Sequence, residues 1–434
     1  VADAAPGTVA GRRSRPARVF FGWWIVAAGG GLQALQAAVL GQAYGAYVVL
    51  LREEFGWSKT MLAAASSLRE AETGLLGPLH GALLDRFGPR RVASVGVVIL
   101  GIGFMLFSRV QEPWQFFGAF LVMSVGGSLC GYLTVTFAAV HWFERRRATA
   151  ISLTSAGFAV GGMSIPLVVL VLETFGWRTT AFLSGIAVIA VGLPLAQVLR
   201  HHPHEFGLEP DGLPRFREAR DPEDAPPDLP THREFTLREA VRTRAFWLIS
   251  CGHASALFVV SALSVHLVSH VRESLGYTLG QASAVVFALT LVFMIGNLSG
   301  GPIGDRVNKR AFLVACMAMH CVGMLLLSHA VNTWMVIAFL IIHGLAWGWR
   351  GPQMAAIRAD YFGRAAFGKI MGVSNMVIIT GTILGPLIAG VLYDRTGDYR
   401  LGFDVIAFIA LAGSVFFLLA RRPSAPLDRH RGGV

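Results

Sequence analysis

Residues 77–91 read GPLHGALLDRFGPRR, and this stretch decides the fold. An apolar run ends on Asp85, turns through Gly88, and passes Arg86, Arg90 and Arg91 before the next apolar run at 92–108. A short basic turn between two such runs is the pattern of two helices joined at a membrane surface. Gly77, Gly81 and Gly88 permit close helix contact and a tight turn. A degenerate copy follows at 301–310, GPIGDRVNKR, with Gly301, Gly304, Asp305, Arg306, Lys309 and Arg310.

The whole chain supports that reading. Of its 434 residues, 54% are hydrophobic and 15% charged, and its mean hydropathy is +0.57. A soluble chain would carry about 25% charged residues. Four Cys and long apolar runs exclude a disulfide scaffold, collagen and disorder. Twelve stretches could cross a bilayer: 21–51, 61–84, 92–108, 114–140, 147–171, 178–199, 245–271, 279–303, 311–328, 333–357, 369–393 and 402–420. They are too long and too uniformly apolar for barrel strands. The expected class is an all-α membrane protein of twelve transmembrane helices.

Lys and Arg set its orientation. With the N-terminus in the cytoplasm, 27 of the 37 fall on the cytoplasmic side and seven on the other. Arg69, Arg350 and Arg358 lie within spans. That bias places both termini in the cytoplasm. It also accounts for the net charge of +11 without a nucleic-acid partner.

The halves resemble each other at an offset near 220. EFGWS at 54–58 meets SLGYT at 274–278, HWFERR at 141–146 meets DYFGRA at 360–365, and ETFGWR at 173–178 meets DRTGDYR at 394–400. Six spans per copy make these parallel repeats, with a central cavity between them. The expected organisation is a cytoplasmic tail at 1–18, six-helix bundles at 19–199 and 245–420, a cytoplasmic central loop at 200–244, and a tail at 421–434. His201, His202 and His204 beside Pro203 read as solvated loop side chains, so no metal or cofactor is expected.

The paired loop motif, the twelve spans and the long central loop resemble the major facilitator superfamily over roughly residues 19–422. FFGWWIVAAGG at 20–30, REEFGWSKT at 52–60 and WFERRRATAISLTSAGFAVGG at 142–162 resemble its monocarboxylate and oxalate/formate transporter branch. The resemblance implies a non-enzymatic carrier that moves small organic anions by alternating access, with proton symport or anion exchange. It also implies a cavity lined by the first, fourth, seventh and tenth spans. One departure stands out. That branch often places an Arg in the eighth span, whereas 279–303 offers only Thr290, Asn297 and Ser299 as polar candidates.

Charges at membrane depth are costly and usually face a cavity. Arg350, in HGLAWGWRGPQ at 343–353, is therefore the first candidate for an anion, with His343 seven residues earlier on the same face. The plainer reading is a structural Arg bonded to helix carbonyls or to Asp360. Arg69 and Glu72 share a face and form either an ion pair or part of the site; Glu70 and Glu72 are candidates to carry a coupled proton. Gln33, Gln36, Tyr44 and Tyr47 form a polar stripe along the first span. Ser128, Tyr132 and Thr136 form another in the fourth, and His266 and His270 a third in the seventh. His266 is a candidate for substrate or proton. Asp85, Arg86 and Arg90, with Asp305 and Arg306, are expected to make switchable salt bridges as a gate, or to act as topology determinants only.

The expected function is secondary transport of a small organic anion, a monocarboxylate first. Its setting would be a cytoplasmic (inner) membrane, and its working unit a monomer. The alternative is an efflux carrier for a larger amphipathic compound, suggested by Trp347, Trp349 and the Phe-rich surroundings.

Overall fold

The computed structural model describes residues 20–41, 44–57, 59–212 and 234–424. The tail at 1–18, residues 213–233 of the central loop and the tail from 425 onward lie outside the described residues. Among the described residues every regular element is helical: α1 (Phe21–Gln36), α2 (Tyr44–Phe55), α3 (Lys59–Phe107), α4 (Pro113–Cys130), α5 (Tyr132–Trp142), α6 (Arg147–Met163), α7 (Ile165–Val198), α8 (Leu237–Arg242), α9 (Arg244–Leu275), α10 (Leu279–Arg306), α11 (Lys309–Ser328), α12 (Thr333–Phe362), α13 (Phe367–Thr396) and α14 (Arg400–Leu419).

Ten helical stretches are long and apolar enough to cross a membrane. One of them, Leu68–Phe107, is broken at Gly88 and holds two crossings. A further crossing is α6 with α7 as far as its break at Gly176. The total is twelve, in two sets of six. Both breaks need glycine: φ is 76° at Gly88 and 73° at Gly176, a region where a Cβ is strained.

Three spans depart from the expected continuous helices. The first is α1, a π-helical turn at Ala37–Gly41, then α2, so its polar stripe is not one stripe. The fourth breaks at Gly131, between α4 and α5. The fifth is interrupted at Ser164, between α6 and α7. The stretch expected to be a plain linker is also partly built: Pro203–Phe206 and Pro210–Gly212 are single helical turns, and α8 is capped by Thr236 and Glu239.

Each half has its own apolar core. The N-terminal one holds Phe104, Phe116, Phe137 and Trp142; the C-terminal one holds Phe246, Phe339, Phe362 and Phe403. The N-terminal core also takes in Ala355, Ala356, Phe367 and Met371 from the other half. The halves therefore close on each other at one end, the end that carries the Arg-rich turns. We call it the basic end.

Candidate functional site

At the basic end the halves are locked by backbone and carboxylate. Asp85, at the foot of the second span, accepts from the N–H groups of Gly368 (3.0 Å) and Lys369 (3.1 Å) in the first turn of α13. Asp305 accepts from the N–H groups of Ala148 (2.8 Å) and Thr149 (2.9 Å), and from the Thr149 hydroxyl (2.6 Å), in the first turn of α6. A helix N-terminus has unpaired N–H groups and a positive dipole end, so it receives a carboxylate well. Small residues allow the approach. A Cβ on Gly81 would overlap the Gly368 backbone, and one on Gly301 would meet Ala148 and Thr149. Asn297 joins this seam by donating to the Ser152 carbonyl at 2.9 Å, while its own carbonyl accepts from the Ser152 hydroxyl.

The expected gating arginines do not take part. Arg86 lies over the Phe87 ring, Arg90 donates to Gln197 within its own half, and Arg306 makes no ion pair among the described residues. The cations that bridge the halves are others: Arg147 pairs with Asp360, Lys369 stands 3.9 Å from Asp85, and Arg364 donates to the His141 carbonyl. Lys309 completes the pairing of Asp360 at 2.9 Å. The two ends of the central loop brace the outer turns. Asp211 accepts from the N–H groups of Glu144 and Arg145, and Glu234 from those of Arg364 and Ala365.

Deeper in, the break at Gly131 explains the first-span glutamines. Gly131 N–H bonds Ser128 O instead of continuing the ladder, which frees the Gly127 carbonyl. Gln36 Nε2 donates to that carbonyl at 2.7 Å. Gln36 is thus a brace for the fourth span. Tyr44 donates to Leu62 O at 2.6 Å, and Gln33 is buried at 4% exposure, so neither faces an open site.

Glu72 is buried and collects three hydroxyls on Oε2: Ser124 at 2.7 Å, Ser128 at 2.9 Å and Thr73 at 3.3 Å. It has no ion pair with Arg69 among the described residues, so the expected pair is not formed. Glu70 is exposed and lies apart from this cluster.

In the other half, Arg350 is 2% exposed, and its Nε and Nη1 have no hydrogen-bond partner among the described residues. Tyr132, from the first turn after the Gly131 break, is 41% exposed, yet lies within electrostatic reach of Arg350 and Arg358 across the seam. Cys316 of α11 is likewise within electrostatic reach of Arg350. His343 does share the Arg350 face, but that face packs on α11: His343 is fully buried, with Nδ1 3.1 Å from His320 Nδ1. His266 is likewise used in packing, against Pro386 O (3.0 Å) and the Tyr399 hydroxyl (3.3 Å). Trp347 packs on Phe293, and Trp349 donates to Ser299. Neither supplies a bulky aromatic wall.

A residue that sequence reasoning left unassigned is Arg358. It is 1% exposed and donates to Met354 O (2.6 Å) and Ser374 Oγ (2.7 Å), which ties α12 to α13. Its membrane depth was the available signal. His201 and His202 are not solvated: both are half-buried, and burial, then His202, pushes the His201 imidazole down to about 4. His204 alone is open, beside Glu209.

A family model for the Major Facilitator Superfamily matches residues 26–296 and 249–433. The chain belongs to the major facilitator superfamily. Within that superfamily it resembles the monocarboxylate branch. Monocarboxylate transporter 13 of Bos taurus is 24% identical over 426 residues, covering 96% of this chain and 95% of that one. Monocarboxylate transporter 11 of Homo sapiens is 26% identical over 412 residues, covering 92% and 82%. Among solved structures, the superfamily transporter FucP in the outward conformation has a TM-score of 0.71 at 14% identity, covering 93% of this chain and all of that one. The human organic anion transporter MFSD10 has a TM-score of 0.64 at 14% identity, covering 93% of this chain and 100% of that one. The chain is thus a multi-pass membrane transporter of the superfamily, and not an enzyme.

Proposed function

We propose that this transporter carries a small organic anion, a monocarboxylate first, by alternating access. The observation that carries the reading is Arg350, a buried guanidinium whose Nε and Nη1 lack partners. An uncompensated buried charge costs several kcal/mol. A bound carboxylate supplies the missing negative charge and both acceptors, and guanidinium geometry suits a two-pronged carboxylate contact. Tyr132, within electrostatic reach of Arg350, is our candidate for a second contact to the same ligand from the opposite half. The two named relatives and the organic anion transporter of like fold are consistent with this substrate class.

Glu72 is our candidate for proton coupling: a carboxylate buried at membrane depth, with three hydroxyls on Oε2 and no ion pair among the described residues. With the basic end in the cytoplasm, the locked state is outward-facing. Release to the cytoplasm then requires α13 and α6 to leave Asp85 and Asp305. The bulky amphipathic alternative loses its support, because Trp347 and Trp349 are packed against α10.

The test is uptake of labelled monocarboxylates into proteoliposomes under an imposed proton or counter-anion gradient. Wild type should accumulate a short-chain acid, Arg350→Lys should do so weakly, and Arg350→Ala not at all. Absence of any acid flux in wild type, or unchanged flux in Arg350→Ala, overturns the reading.

A further inference from the structure

His141, His201 and His202 each offer a ring nitrogen within 4.8 Å of the others. They come from two separate places: His141 from the last turn of α5, and the adjacent pair from just beyond α7. Only the fold brings them together. We propose that these three imidazoles form a site for one divalent transition-metal ion of the zinc class, beside the lock at the basic end.

The ring chemistry fits. His141 Nδ1 lies 2.8 Å from Phe137 O. A carbonyl only accepts, so Nδ1 carries the proton and Nε2 keeps a free lone pair. A ligating histidine with its other nitrogen tied to a backbone carbonyl is the usual arrangement at metal centres, because it fixes the tautomer and the ring direction. Three imidazoles with one position left to water make a tetrahedral set for Zn²⁺ or Co²⁺. Metal–nitrogen bonds of 2.0–2.1 Å put ligand nitrogens roughly 3.4 Å apart. The His201 and His202 rings stack at 3.8 Å between centroids and lie 5.5 Å and 5.2 Å from the His141 ring. Arg364 is a cation near this cluster, and Glu205 and Glu234 lie in electrostatic reach of His202 to offset it.

The position gives the site its effect. The His201 ring lies against Gly88, the turn that ends the second span three residues after Asp85. The carbonyl of His141 itself accepts from Arg364 Nη1 of the other half, at 3.3 Å. A metal on these rings therefore ties the fourth span, the stretch after the sixth and the Asp85 turn into one unit beside the lock.

The test uses the full-length protein in detergent, purified without a histidine tag, with Co²⁺ as a visible probe. Wild type should bind one Co²⁺ per chain with the intense absorption of tetrahedral cobalt, displaced by Zn²⁺. His201→Ala and His202→Ala, both at half-buried positions, should each weaken binding by roughly tenfold or more. His204→Ala, at an exposed neighbour, should leave it unchanged. The proposal is overturned if wild type binds no Co²⁺, if the spectrum is octahedral, or if His204→Ala weakens binding as much as His202→Ala. None of these readouts depends on which solute is carried.

Discussion

Asp85 and Asp305 stand 220 positions apart, and each caps the first turn of a helix in the opposite half. Asp85 takes the amides of Gly368 and Lys369, and Asp305 those of Ala148 and Thr149, which are themselves 220 positions apart pair by pair. The duplicated motif is thus a pair of symmetric latches. Each uses a carboxylate on one bundle and the dipole end of a helix on the other.

Removing one latch should loosen that end. Loss of a side-chain acceptor at a helix N-terminus costs about 1 kcal/mol, which is about a fivefold shift toward the open arrangement. Asp85→Ala should speed hydrogen exchange at Gly368 and Lys369, Asp305→Ala at Ala148 and Thr149, and the double variant at all four. Unchanged exchange in the double variant would show that the latches bear no load.

Gly81→Ala should prevent closure, because its Cβ would run into the Gly368 backbone. The expected variant is monodisperse and membrane-inserted, with fast exchange at the start of α13 and transport reduced at least tenfold. Gly118→Ala is the control, since no atom lies within 4 Å of its added Cβ. Full transport by Gly81→Ala would refute the close approach.

Glu72→Gln separates coupling from binding. Under the proposed function it should keep substrate exchange between loaded vesicles and lose accumulation driven by a proton gradient. Gradient-driven accumulation equal to wild type would remove Glu72 from the proton path.

At the opposite end, Glu54 pairs with Arg178 at 2.9 Å and accepts from the Trp177 indole. The Trp177 bond first, and then Arg178, hold the Glu54 carboxyl below its ordinary value of 4.5. A lowered folded value means that this contribution is fully present above the unfolded value and is lost as pH falls through the lowered one. The pair is largely exposed, so it contributes less than about 1 kcal/mol. Wild type should therefore lose a small stability advantage over Glu54→Gln as pH drops below about 4.5. Thermal melts of both proteins across that window check the sign, and an advantage that grows on acidification would contradict it.

Much of the fold was legible because its signals are local. Apolar run length gives the crossings. The breaks at 37–41 and at Gly131 were not legible, since each depends on a partner: Gln36 from the first span satisfies a carbonyl that the fourth span frees. The site was legible only in part. Arg350 was found because a cation at membrane depth is conspicuous in any sequence. His343 and His266 were read as ligands because helical spacing gives a face but not what that face meets. Here it meets His320 in one case and Pro386 with Tyr399 in the other. Arg86, Arg90 and Arg306 were read as gate cations by adjacency, while the pairs that cross the seam use Arg147, Lys369 and Arg364.

The sequence by itself determined a twelve-span, twice-repeated membrane carrier, because hydropathy, charge bias and repetition are properties of the chain read in order. The tertiary structure alone decided which groups are paired and which are left over. Pairing depends on which helix ends meet across the seam. That meeting satisfies Asp85 and Asp305 with backbone amides, while Arg350 is buried with Nε and Nη1 unpartnered among the described residues.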